Sequence, residues 1–481
     1  MKVLLVTDSA VLRRSLSQAL VDRGHDPRAL TRADDRPPTH WPARVEPRTA
    51  PPEDVGAVLE AAHGCDAAIV IDVRLGRVGR TDGDPGAFTA AATAALSDRG
   101  VRTLLVSGRA AERQGQPSST KDTSLRITCD AVYGTGEDAV SLFLIMMRTL
   151  PAVPLLSATH LLRPLWHEDL ARGLAAALAL EPSPISGTLD VAGPESISYE
   201  ALYERIAVLI DRRPLRLPIP DFLAAHGARL AEVLHLGVPF DTALLQVEQD
   251  APSSSDGLRT LQIDPTPLDA GLRRLANELP EMVPSQGVGR LEIKRFHADI
   301  SGSPHRASDL LRLFRSRFSE VMPITVGSEP VSPRTALDPD AVITMTLPAR
   351  GHVQIRVAEV TDDHVVGVTL QGHALAGCVR FSTRDTGAGV RFEVTACETA
   401  SNPLDWLTLT LGGARLQDAN WKTVVENVVT LSGGKADDVK SDARRLTPDE
   451  AEQADSWIRA LVERRASAPP APAPLLESAA Q

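Results

Sequence analysis

A tyrosine serves best as a proton donor or acceptor where a neighbouring cation lowers its pKa, and a lysine one helical turn on would be one such neighbour. The chain has three tyrosines, Tyr133, Tyr199 and Tyr203. Four residues beyond them stand Glu137, Tyr203 and Ala207, none of them a lysine. Residues 108–130 are a polar stretch, and Lys121 sits there in a Ser/Thr-rich run that reads as solvated. No catalytic residue is therefore assigned. His167-Glu168-Asp169 resembles the start of a zinc motif, but H-E-x-x-H needs a histidine where Ala171 stands. It reads instead as a helix start, with the two acids at the positive end of the helix dipole. Cys65, Cys129, Cys378 and Cys397 form no C-x-x-C pair, so reduced buried thiols are expected and no metal site.

The elements around these residues come in two patterns. Residues 3–6 are a short apolar run, as in a strand buried on both faces. Leu12, Leu16, Ala19 and Leu20 then repeat at helical spacing. Strands are expected at 27–31, 67–73, 101–107 and 187–191. Helices are expected from 51, and at 88–96, 140–150, 167–180, 199–210 and 265–279, with one more ending near 234. Strands alternating with helices predict an α/β fold with a doubly wound parallel sheet over residues 1–280. Residues 281–290 read as a linker. From 291 to 434 the period changes to alternation, with strands at 342–347, 353–360, 364–370, 379–382 and 390–396 and helices at 307–318 and 421–431. That predicts an α+β domain with an antiparallel sheet. A helical extension follows at 435–466, and the Ala/Pro-rich 467–481 is expected to be disordered.

Several segments in order give the first half a resemblance to the extended or atypical short-chain dehydrogenase/reductase superfamily, which includes NAD-dependent epimerases and dehydratases. They are the opening strand to Thr7, Asp22-Arg23-Gly24-His25, and Val132-Tyr133-Gly134-Thr135-Gly136 (similar to V-Y-G-P-G). Pro164 to Ala171 is similar to P-V-H-V-D-D-V-A, and Val191-Ala192-Gly193-Pro194-Glu195 with Ser198-Tyr199 to G-G-P-E-x-x-S-Y. The resemblance implies a Rossmann-type fold with NADP or NAD as cofactor, held near Thr7, Asp8, Val11, Arg14, Arg32 and Ser107. The family's phosphate turn reads G-x-x-G-x-x-G, and here Asp8, Val11 and Arg14 fill the glycine positions. A side chain on a left-handed turn residue costs roughly 1–2 kcal/mol, and Asp8 puts a negative charge where a pyrophosphate would lie. Arg14 would pair with a phosphate or fill its space. Arg32, past the second strand, would meet a 2′-phosphate of NADP or stand in solvent. Ser107 stands where the family has its catalytic serine. The family's Tyr-x-x-x-Lys pair is absent.

The opening strand and Ile71-Asp72-Val73 also resemble a response-regulator receiver, but the segments after 130 have no counterpart there. In the second half, Gln371-Gly372-His373-Ala374-Leu375-Ala376-Gly377 is similar to the G-H-P-x-x-G motif of a bacterial domain family of unknown function with a helix-grip-like shape. That shape implies an apolar cavity for a small-molecule ligand, with His373 either lining it or bonded within its own turn.

Composition narrows the rest. The net charge of −11 disfavours binding a nucleic-acid backbone. No run approaches the 18 or so apolar residues of a membrane span, and Met1 to Val6 is too short and too soon polar for a signal peptide, so a cytoplasmic protein is expected. The expected function is a degenerate dehydrogenase/epimerase-like protein for ligand binding, sensing or scaffolding. The alternative is an NAD(P)-dependent oxidoreductase or epimerase-like enzyme with a non-standard site.

Overall fold

The computed structural model describes residues 1–464 except 32–43, 52–53, 73–74, 76–84, 109–123, 130, 137, 156–160, 180–187, 219–255, 328–335 and 348–349. Arg32, Lys121, the helix expected to end near 234 and the tail 467–481 lie outside the described residues. The chain divides into two compact units. Unit 1 is Met1–Leu144, Ala152–Ile206 and Pro214–Leu275; unit 2 is Ile145–Pro151, Ala207–Arg213 and Ala276–Gln481.

Unit 1 is built on a seven-stranded parallel sheet. Its strands are β1 (Lys2–Val6), β2 (Asp26–Thr31), β3 (Glu46–Thr49), β4 (Ala67–Ile71), β5 (Arg102–Ser107), β6 (Ser124–Thr128) and the short Thr188–Asp190. Their order across the sheet is Thr188–Asp190, β6, β5, β4, β1, β2, β3, with every pairing parallel. This is the doubly wound Rossmann-type arrangement the alternating pattern predicts. Two strands beyond β5 exclude the five-stranded receiver sheet. Strands β1 and β4 are apolar because helices cover both faces of the sheet. Leu12, Leu16 and Leu20 of α1 (Ala10–Asp22) and Leu174 and Leu178 of the helix His167–Ala179 fill one side. Val58 and Leu96, from α2 (Val55–Ala61) and α3 (Pro85–Asp98), fill the other. Sequence periodicity missed β3 and β6. At four and five residues they are short, and β3 is an exposed Glu-Pro-Arg-Thr edge with no apolar alternation.

Unit 2 carries an eight-stranded antiparallel sheet. Its order is Thr325–Gly327, Val342–Leu347, Gly351–Val360, His364–Thr369, Leu375–Thr386, Gly389–Ala400, Val288–Ile300, Lys440–Arg445. Helices Ala307–Ser316 and Ala414–Leu431 lie on one face, where Phe296, Phe314, Phe381 and Phe392 meet Val424 and Val428. The helix Pro448–Arg464 covers the other face with Ile458 and Leu461 over Ile293, Val366 and Cys397. The 13-residue strand Val288–Ile300 begins inside the stretch that reads as a linker, and Leu291, Ile293 and Phe296 bury it. Cys378 and Cys397, far apart in sequence, stand directly opposite each other on neighbouring strands. Both are free and buried, and burial pushes both thiols up, Cys397 to about 12. Among the described residues, no helix is long and apolar enough to cross a membrane.

Candidate functional site

The carboxyl edge of the unit 1 sheet gathers most of the residues the sequence singles out. Thr7 follows β1 and is buried; its Oγ1 accepts from the backbone N–H of Ser9 at 3.3 Å. Ser9 caps α1, its hydroxyl accepting from Leu12 N–H at 3.3 Å. That N–H is one of the first-turn donors a phosphate would otherwise use. Ser107 is buried at the end of β5, its carbonyl accepting from Cys129 N–H at 3.0 Å. Asp8 and Val11 are half-buried and Arg14 is exposed on α1. The expected strain at Asp8 is absent. The described non-glycine residues with left-handed backbone are Asp211, Gln262 and Asp340, so the turn has a path that an L-residue accepts. A pyrophosphate fits this turn poorly: no glycine opens it, Asp8 lies in it, and Ser9 already takes the Leu12 donor. Among the described residues, no group of three or more His, Cys, Asp or Glu is placed to hold a metal.

The remaining candidates in unit 1 are structural. Tyr133 is buried edge-on against Trp166, ring centroids 5.1 Å apart, and burial pushes its phenol further up. That is the wrong direction for an acid–base tyrosine. His167 starts its helix, with its Nδ1 2.8 Å from Ser15 Oγ of α1. Asp169 accepts from Thr266 Oγ1 at 2.9 Å and pairs with Arg172, which accounts for the acids at this helix start.

Unit 2 supplies a different kind of place. A cleft of about 550 Å³ opens between the sheet and the segment Pro403–Leu431. Its apolar wall includes Leu375, Ala400, Trp406, Leu409 and Ala414. The backbone there runs through one π-helical turn, Leu409–Gly413, a feature that recurs at functional sites. Gly289 has φ +102, and a Cβ on it would lie 3.1 Å from the Trp406 ring, so the bare backbone is what lets the indole lie against the strand. The floor is polar. Glu398 is 8% exposed and accepts from the Gln417 amide. Lys294, also buried, donates to Gln417 Oε1 at 3.0 Å and Asp418 Oδ1 at 2.9 Å. Burial raises the Glu398 carboxyl to about 7.

No family model matches this chain, and no curated protein sequence matches it. Solved structures do. A nucleoside-diphosphate-sugar epimerase from Staphylococcus aureus is 16% identical, with 56% of this chain matched to 99% of that one at TM-score 0.42. A Citrobacter sp. triphenylmethane reductase complexed with NADP(H) is 14% identical, over 57% of this chain and 100% of that one at TM-score 0.42. A UDP-glucuronic acid 4-epimerase from Bacillus cereus, in complex with UDP-glucuronic acid and NAD, is 15% identical, over 56% and 96% at TM-score 0.41.

His373 does not line the cleft. It is buried in the turn between two strands, and its Nδ1 accepts from Leu375 N–H at 3.0 Å. Burial lowers its pKa to about 4, so it stays neutral. Sequence reading missed Glu398, Lys294 and Gln417, yet a signal was there. Phe392, Val394 and Ala396 alternate along a core-facing strand, and Glu398 continues the same phase; Lys294 does so with Phe296, Ala298 and Ile300. A charge in phase with an apolar face marks a buried polar site.

Proposed function

We propose that the protein binds a small, largely apolar molecule in the cleft of unit 2, and that unit 1 is a Rossmann-type scaffold that does not run tyrosine–lysine proton transfer. The observation that carries this reading is the 550 Å³ cleft itself, with apolar walls and a few convergent polar groups on its floor. Size and lining are those of small-molecule sites. Sensing or scaffolding would then follow from occupancy. Ligand-detected NMR with neutral apolar fragments is expected to give hits that Ala414→Trp abolishes, because the indole would fill the cleft. Hits that survive this change would place binding elsewhere.

A second reading, an NAD(P)-dependent oxidoreductase or epimerase-like enzyme, is favoured by one observation. Strand β1 lies between β2 and β4, with α1 starting at its carboxyl end, the crevice where Rossmann-type sheets hold NADP or NAD. The cofactor would supply hydride transfer, and this chain would have to hold its phosphates through Arg14 rather than a glycine turn. Calorimetric titration with NADP(H) and NAD(H) is expected to show no heat of binding up to millimolar cofactor. Micromolar binding lost in Arg14→Glu would instead establish this second reading.

A further inference from the structure

The segment that walls the cleft is apolar on both sides. Where Pro403–Thr408 runs through the π-helical turn Leu409–Gly413 into Ala414–Leu431, Trp406, Leu409 and Ala414 line the cleft. Leu404, Leu407 and Leu411 recur at i, i+3 and i+7, which puts them on the opposite side of the same turns. The π-helical turn takes up one extra residue, so Leu416 follows in their phase. These four leucines are 40, 47, 78 and 59% exposed. With Trp406 they make up half of the ten large hydrophobic side chains exposed among the described residues, so the exposure is gathered on one segment rather than scattered. A helix that is apolar all round is ordinarily covered all round.

We infer that this outer stripe is a dimerisation surface whose partner is a second copy of the chain, paired antiparallel about a two-fold axis beside Thr410. Charge favours that partner. From 403 to 416 the charged residues are Asp405 and Arg415. Asp405 is buried and taken by Arg350 at 2.8 Å, and Arg415 is exposed, so its head stays in water. The same stripe on a second copy therefore buries no charge against this one, whereas lipid headgroups or a charged peptide find nothing to pair with. Against an anionic bilayer the net charge of −11 adds repulsion. Shape favours it as well. About that axis Leu404 faces Leu416 of the second copy, Leu411 meets its own counterpart, and Leu407 faces Gly413, a side chain against bare backbone. The two-fold repeats each unlike contact, so the stripe is its own complement. The four leucines and Trp406 expose roughly 500 Å² of apolar surface, toward the upper end for the largest patch of a monomer. A pair then buries about 1,000 Å², the low end for a specific interface and in keeping with micromolar affinity. This pairing does not depend on what the cleft takes.

Sedimentation equilibrium of the full-length protein tests it. Between about 1 and 300 µM the weight-average mass is expected to climb from the monomer toward twice that value. Raising NaCl to about 0.5 M is expected to leave the association undiminished, because no ion pair holds it. Leu411→Glu, at the most exposed of the four positions, is expected to weaken association at least tenfold while the melting temperature stays at the wild-type value. Cross-linking reads the register. Leu404→Cys protein mixed with Leu416→Cys protein is expected to give a dimer with a short bismaleimide. Leu404→Cys alone is expected to give far less, its two thiols lying about 18 Å apart along the paired helices. Wild type sets the background, since Cys129, Cys378 and Cys397 are buried and Cys65 is half-buried. A wild type that stays monomeric throughout overturns the inference, as does a Leu411→Glu variant that associates as tightly as wild type. Equal cross-linking in the mixture and in Leu404→Cys alone overturns the antiparallel pairing. A monomeric wild type that floats with neutral phosphatidylcholine vesicles, where Leu411→Glu does not, would assign the stripe to a lipid surface instead.

Discussion

Gly193→Ala is expected to lower the melting temperature of unit 1 by about 10 °C. A Cβ at position 193 would lie 1.8 Å from the carbonyl oxygen of Pro164, and 2.6 Å from its carbonyl carbon. The obstacle is backbone, so no side chain can swing aside. The two segments are also laced together. Gly193 N–H donates to Arg163 O at 3.3 Å, and Arg163 Nε donates to Gly193 O at 2.9 Å. Relief of the clash must part these bonds and disturb Leu165 and Val191, both in the core. Overpacking of a fixed backbone costs about 3–4 kcal/mol at the upper end of its range. For a unit of this size each kcal/mol moves the transition by about 2–4 °C. Gly108→Ala is the control: its Cβ would meet its nearest neighbour, Cys129 O, at 3.6 Å, an ordinary contact. Calorimetric melts should leave Gly108→Ala within about 1 °C of wild type. A Gly193→Ala melt equally close would show that these segments part freely.

Gly193 also illustrates what the sequence made legible. The Gly-Pro-Glu segment around it stands out because close backbone approach admits only glycine there, so packing writes itself into residue type. The same holds for β1 and β4, whose continuous apolar runs follow from burial on both faces. The strand Gly389–Ala400 of unit 2 is legible because Val390, Phe392 and Val394 pack in the core while Arg391, Glu393 and Thr395 alternate with them. Where packing leaves no residue-type imprint, the reading failed. The short strand β3 is an exposed edge held by backbone pairing to β2, which constrains its side chains little. The cleft floor failed for a different reason. Glu398 and Lys294 meet Gln417 and Asp418 across separations of 19 and 124 residues, and only the fold joins them. The absent tyrosine–lysine pair was the opposite case, since a fixed spacing along one helix needs no fold to be checked. His373 was singled out by its motif, but its own turn consumes it.

Taking the protein from pH 6.5 to pH 4 is expected to cost unit 1 about 3 kcal/mol through His167. The ring is 2% exposed, and burial lowers its pKa to about 4. Ser15 settles the tautomer. Its hydroxyl donates to Val11 O at 3.0 Å, so at 2.8 Å it accepts from Nδ1–H. That leaves Nε2 as a bare lone pair, buried with no hydrogen-bond partner, where a proton would become an unpaired charge. Between pH 6.5 and 4 the unfolded histidine is protonated while the folded one is neutral. The unfolded state then binds more protons, so stability rises with pH through this window and is lost as pH falls. Asp138, raised by burial, works in the opposite sense in the same unit, so the comparison must be with a variant rather than with theory alone. His167→Asn keeps a donor toward Ser15 and removes the titration. Its denaturant stability should change with pH less steeply than wild type by up to about 1.4 kcal/mol per pH unit between 4 and 6.5. Equal slopes would mean that the folded ring is protonated as easily as the free one. In unit 2 His373, at about 4, and Glu398, at about 7, oppose each other between pH 4.5 and 6.5. Glu398→Gln would take away that compensation and make unit 2 acid-sensitive as well.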